Sequence, residues 1–291
     1  MSTLSLTMER AKKAQFWRRG SSFSPSRLPV NPAYVIDRTG AYYPMNHKRR
    51  GNALIFTHET FAKSTKLASR KGAKADSKAL GKSLKRLGFD VDIYSDKGKE
   101  EINKITEKAS RQDHSNADCL LVAILTHGDD GDSLCAQDGS YQFTSVWTQF
   151  TEERCPSLAG KPKIFIVQAC RGQELDPGVA TVEQDGIARY IGSAEAEFLF
   201  AFATAPHRKK NHGFMSFRNV ESGSWFIQEL CVELNENGER YDLLTLFTFV
   251  TQRVAHLHES NAPDTLEYHQ KKQIPCIVSK LTRLLLISGR G

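Results

Sequence analysis

The chain has 291 residues, 40% of them hydrophobic and 25% charged, a balance that suits a sizeable buried core and excludes collagen-like and wholly disordered classes. No apolar run approaches the roughly 20 residues that a bilayer-spanning helix needs. The formal charge of +7 invites a nucleic-acid or membrane-surface partner, but residues 1–50 carry ten Lys and Arg against Glu9 and Asp37, and the other 241 residues hold 30 basic and 31 acidic side chains.

The basic arm comes first in chain order. Ser, Pro and Arg dominate residues 18–32 without apolar periodicity, which reads as a solvated leader. Phe16-Trp17 beside Arg18-Arg19 would also suit an interface, and the Arg- and Ser-rich composition would also suit a transit peptide. Met1 to Gly20 lacks the apolar core of a secretory signal.

From Asn52 onward, strands alternate with amphipathic helices. Ala53–Phe56 reads as a buried strand, and Asp76–Leu87 as a helix with Leu80, Leu84 and Leu87 on one face and a lysine stripe on the others. Val91–Tyr94 alternates as a strand, and Glu100–Ser110 follows as a helix. The apolar runs Cys119–Leu125 and Ile164–Val167 suit central parallel strands covered on both faces. Phe198–Phe202 and Ile277–Leu286 supply further strands, with helices at about Ser224–Leu234 and Asp242–His256 between them. Residues 172–194, rich in Gly, Asp, Glu and Ser, read as an exposed connection. The expected architecture is α/β, a mostly parallel sheet with helices on both faces.

Six cysteines are scattered without Cys-x-x-Cys, and no Asn-x-Ser/Thr sequon occurs. Both features favour free thiols in a reducing compartment, the cytosol. Cys119, His127 and Cys135 lie eight apart and Asp129, Asp130 and Asp132 lack EF-hand spacing, so neither set reads as a metal site and no cofactor is expected.

In parallel α/β sheets, ligands gather outside the carboxyl ends of the strands. Two central runs end there in reactive residues, one in Thr126-His127-Gly128 and the other in Gln168-Ala169-Cys170-Arg171-Gly172. An imidazole near a thiol accepts its proton, and the thiolate is the nucleophile. Taken singly, a strand-end Cys is as well read as a small buried hydrophobe and the His as a satisfied polar residue.

Gln168-Ala169-Cys170-Arg171-Gly172 matches the caspase active-site signature. The resemblance spans roughly residues 42–287. It also includes His127-Gly128-x-x-Gly131, Gly160-Lys161-Pro162-Lys163, Gly223–Gln228 and Lys271–Ser279, and is nearest to short-prodomain executioner caspases. It implies a caspase-like sandwich with a six-stranded, mostly parallel central sheet. It also implies an aspartate-specific cysteine endopeptidase in which Cys170 attacks and His127 serves as base and then acid. The Gly128 and Cys170 amides would hold the oxyanion, and a carbonyl at about Ala68 would orient the imidazole. A glycine after the histidine is read as leaving the substrate an open approach.

By the same resemblance Arg70, Gln168 and Arg218 grip the carboxylate of the P1 aspartate. Met215, Phe217 and Tyr268 line S2, Ser216 belongs to the substrate strand, and Asn219 and Trp225 suggest an acidic residue at P4. Residues 1–37 would be a removable prodomain, 38–185 the large subunit and 186–291 the small subunit, with cuts at Asp185 and, less well matched, at Asp37. The implied partners are protein substrates with Asp at P1, an upstream initiator caspase, a second copy joined through the strand after Pro275, and inhibitor-of-apoptosis proteins. Neither nucleic acid nor membrane is expected to bind. The sequence departs from the family pattern at the insertion 207–212, at Lys74 and at Ala262. These departures leave open a second reading, a weakly active or inactive regulator of a partner caspase.

Overall fold

The computed structural model describes residues 40–128, 132–170, 196–205, 216–219 and 221–287. Six strands form the central sheet: β1 (Asn52–Thr57), β2 (Asp90–Ser95), β3 (Leu120–Leu125), β6 (Lys163–Gln168), β7 (Phe198–Phe202) and β10 (Cys276–Ser279). Their order is β10-β7-β6-β3-β1-β2; every pairing is parallel except β10 with β7. Two short hairpins stand outside it, β4 (Ser133–Ala136) with β5 (Gly139–Gln142), and β8 (Arg218–Asn219) with β9 (Gly223–Ser224).

Every residue of β3 and β6 is buried, as strands covered on both faces must be. Side-chain alternation divides each strand between two cores. Leu121, Ala123 and Leu125 of β3 join the core under α1 (Ala73–Arg86), α4 (Trp225–Asn237) and α5 (Leu243–Leu257). Leu120, Val122 and Ile124 face α2 (Lys99–Ser110) and the single turn α3 (Thr144–Trp147). The second core is aromatic: the edges of Phe143 meet Phe165, Phe200 and Phe202 with centroids 5.9 Å apart. Each fully buried Phe of this kind is worth about 1.5–3 kcal/mol in transfer from water.

The helix expected from Asp76 begins earlier, at Ala73, because Gly72 at φ +93° turns the chain into it. Asp242, expected as the first residue of its helix, is the N-cap of α5, and its carboxylate accepts from the Leu244 and Thr245 amides. The strand expected over Ile277–Leu286 is corrected to Cys276–Ser279. Its continuation leaves the sheet because the Thr282 amide turns to the Tyr43 hydroxyl at 2.9 Å and Glu197 Oε2 at 3.2 Å, and the Thr282 hydroxyl donates to Glu197. Tyr43 also donates its hydroxyl to Glu197, and the Tyr43 amide pairs with the Leu284 carbonyl. The β4/β5 hairpin, absent from the periodicity reading, ties back to the loop after β3 through Cys135 N–H to His127 O at 3.0 Å.

Candidate active site

The register of the sheet places the reactive residues. Leu125 of β3 pairs with Gln168 of β6, so His127 and Cys170 each lie two residues beyond the last paired position of adjacent strands. Thr126 locks that exit: its amide donates to the Gln168 carbonyl at 3.0 Å and its hydroxyl to the Cys135 carbonyl.

His127 Nε2 lies 2.9 Å from the Ala68 carbonyl oxygen. A carbonyl only accepts, so Nε2 carries the proton and Nδ1 keeps its lone pair in the neutral ring. Burial pushes the imidazole below its ordinary range, and the cations Arg70 and Arg218 push it the same way, against the Ala68 bond. The ring is therefore a neutral base at pH 7. Phe61 rests on it with centroids 5.1 Å apart.

Cys170 is half-buried, and its Sγ accepts from the Ser216 amide at 3.4 Å, with the Ser216 hydroxyl at 3.5 Å. A Cβ built on Gly128 would stand 1.8 Å from the Cys170 carbonyl oxygen and 3.2 Å from Ala169 Cβ. This revises the reason given for the glycine: the space a side chain would need is already filled by the protein's own backbone. Among the described residues neither the Gly128 nor the Cys170 amide has an acceptor.

Beside this pair is a cationic pocket. Arg70 is 2% exposed and donates through Nη1 to the His58 carbonyl at 3.1 Å. Arg218 donates through Nε to the Lys71 carbonyl at 2.8 Å. Burial, and then the neighbouring Arg218, bring Arg70 down to about 10, so it stays charged at neutral pH but poorly solvated. Burial likewise lowers Arg218.

The Gln168 amide is buried, and both its polar atoms lack a partner among the described residues. Two crowded guanidinium groups and an unsatisfied amide suit a planar carboxylate ligand. Asp76, fully buried, faces the same cations and accepts from the Ser224 amide at 2.8 Å, the Ser224 hydroxyl and Gln228. Gly223, at φ +99°, is required here, since a Cβ would stand 2.1 Å from Asp76 Oδ1. Lys74 is largely exposed, and its ammonium is 3.8 Å from Glu59.

The remaining wall is aromatic. Phe217 stacks on Trp225 at 4.8 Å, and its amide donates to Gln273 Oε1 at 2.8 Å. Gln273, 1% exposed, donates in turn to the Ala203 carbonyl at 2.9 Å, fixing the wall to the end of β7. Asn219 spends its Oδ1 on the Glu221 and Ser222 amides, closing the β8–β9 turn. Tyr268 stands partly exposed in the short helical turn Leu266–Tyr268. Met215, the insertion 207–212, Asp185 and Asp37 lie outside the described residues. Sequence reasoning missed the part played here by Phe61, Asp76 and Gln273: Asp76 was read only as the start of a helix and Gln273 only as a member of the segment Lys271–Ser279.

A thiol and a neutral imidazole at the carboxyl edge of a parallel sheet, next to a buried cationic pocket, define a cysteine-type endopeptidase. Comparison with known proteins gives the particular kind. The caspase domain family model matches residues 50–286. Caspase-1 of Spodoptera frugiperda is 49% identical over 93% of this chain and 88% of its own length. Caspase drICE of Drosophila melanogaster is 49% identical over 88% of this chain and 75% of its own, and Caspase-7 of Gallus gallus is 36% identical over 98% and 90%. The crystal structure of the Spodoptera frugiperda Caspase-1 superposes with a TM-score of 0.79 at 48% identity, covering 91% of this chain and 99% of that one. The chain belongs to the caspase family.

Proposed function

We propose that this caspase is an active executioner-type enzyme of apoptosis that cuts proteins after aspartate. The observation that carries the reading is the pair of guanidinium groups beside Cys170, buried Arg70 and half-buried Arg218, together with a buried Gln168 amide, two residues before Cys170, that has no partner among the described residues; such a set of donors asks for a carboxylate. His127 Nδ1 takes the Cys170 thiol proton, and the thiolate adds to the main-chain carbonyl carbon of the aspartate itself. The carbonyl oxygen becomes an oxyanion facing the Gly128 and Cys170 amides; one such donor is typically worth about 10²–10³ in rate. The imidazolium returns its proton to the leaving amine. Water, deprotonated by His127, then releases the acyl group from sulfur.

In this reading the chain is a cytosolic zymogen. An upstream initiator caspase cuts it after Asp185, residues 1–37 leave as a prodomain after Asp37, and two copies join through the edge strand β10. Inhibitor-of-apoptosis proteins would meet the same cleft. Lys74 is exposed, with its charge beside Glu59, whereas Arg70 is buried, which favours an active enzyme over the regulator reading.

An aspartyl fluoromethylketone probe should label protein cut at Asp185 and leave Cys170→Ala unlabelled; no labelling of the cut wild type would end the proposal. Asp185→Ala should stay a single chain when treated with an initiator caspase. Separation at the wild-type masses would move the cut elsewhere.

A further inference from the structure

One cluster beside the cleft takes no part in bond cleavage. Trp225 stacks on Phe217 at 4.8 Å and 22°, and on His258 at 5.1 Å and 25°. Phe217 and His258 make no ring contact with each other, which puts them on the two faces of the indole. His258 is the C-cap of α5, and its Nε2 lies 2.7 Å from Glu229 Oε1 on α4. Glu229 is 8% exposed, and its second oxygen takes the Arg253 guanidinium, which is also 3.7 Å from Glu233. Lys272 fixes the His258 backbone by donating to its carbonyl at 3.1 Å, and its ammonium is 3.4 Å from Glu259.

The imidazole therefore has little freedom. One edge is held by a buried carboxylate, the main chain is held by Lys272, and one face covers the indole. Burial disfavours the Glu229 anion, but the bonds from His258 and Arg253 outweigh it and hold the carboxyl below its ordinary range. Phe217, at the far end of the stack, follows Ser216, which touches Cys170 Sγ, and precedes Arg218 of the carboxylate pocket in the chain.

We infer that His258, held by Glu229, is a positioning residue for substrate recognition: by bracing the back of Trp225 it presets the Phe217 ring to receive an apolar side chain on the residue preceding the cleaved aspartate. The inference rests on the aspartate-protease reading. A ring braced on its far face loses less freedom when a substrate side chain covers its near face, so the benefit appears in binding rather than in the chemical step. The partner class is a peptide with a branched aliphatic residue before Asp. A glycine there offers nothing for the wall to hold.

The test compares two fluorogenic peptides, one with Val and one with Gly before Asp, on the cut enzyme standardised by active-site titration. His258→Ala should raise KM for the Val peptide by about three- to tenfold with kcat within about twofold, and leave the Gly peptide nearly unchanged. His258→Phe, which keeps an aromatic face on Trp225, should restore the Val peptide, and Glu229→Gln should fall between. Should His258→Ala fail to fold, His258→Gln carries the same expectation. An unchanged KM for the Val peptide, or equal shifts for both peptides, overturns the positioning role. Wild type cleaving neither peptide while the probe still labels Cys170 overturns it as well, and absence of both labelling and cleavage overturns the protease reading with it.

Discussion

The two halves of the cleft are built by different means. His127 and Cys170 hang from β3 and β6, six-residue strands buried along their whole length, and their approach is set by backbone register. The side-chain-reading half rests on β8 and β9, two residues each, and is held by side chains: Asp76 on Ser224, Gln273 on Phe217, and the Phe217–Trp225–His258 stack. A backbone-built half has few adjustable parts, so a small change there should be felt at full strength. A wall of side chains should yield by degrees, in binding more than in turnover.

Cys170→Ala, the change behind the probe test above, removes the nucleophile and should cost about 10⁴-fold or more in kcat/KM. Arg70→Lys is the sharpest test of the pocket. It keeps a charge but loses the planar fork, so it should raise KM and lower kcat/KM by about 10²–10³-fold with unchanged inhibition by a thiol reagent; near-normal kinetics would mean that Arg218 alone reads the carboxylate. Gly128→Ala should reduce kcat by about 10²-fold, as loss of an oxyanion donor does, and lower the thermal midpoint, because its Cβ must displace the Cys170 carbonyl. A fully active, fully stable Gly128→Ala would break the contrast between rigid edge and yielding wall.

The smallest effect concerns pH. Burial lowers His58, His114 and His127 below the ordinary imidazole value. The unfolded chain therefore takes up protons near pH 6.5 that the folded chain still refuses. The stability these residues contribute is complete above about pH 6.5 and falls as pH drops through their lower folded values. The urea midpoint should decrease between about pH 7.5 and 5.5, while the acid limb of kcat/KM, set by His127, lies below 6.5. An acid limb above that value would mean that His127 is not the base.

Much of the edge was legible because period and strand-end chemistry are local. Leu120–Leu125 and Ile164–Val167 announce buried strands, and His127 and Cys170 fall where such strands end. The parts that were not legible are long-range. Nothing in the run Ala73–Arg86 shows that Asp76 will meet Ser224, 148 positions away, or that Ser216 will cap the Cys170 sulfur across 46. The early end of β10 is of the same kind, since Tyr43 and Glu197 capture Thr282 from distant parts of the chain. The glycine after the histidine was noticed, but its reason needed the third dimension: the occupant of the missing side chain's space is the carbonyl of Cys170.

Residues 171–195 join β6 to β7, and those two strands pair directly, from Lys163 with Phe198 to Val167 with Phe202. Severing the chain within that segment breaks no hydrogen bond of the sheet. Tyr43 on one fragment still grips Glu197 and Thr282 on the other. The cut protein is then a pair of complementing fragments obeying mass action: loss of the tether adds to its folding midpoint a dependence on dilution that comes from the fragments themselves.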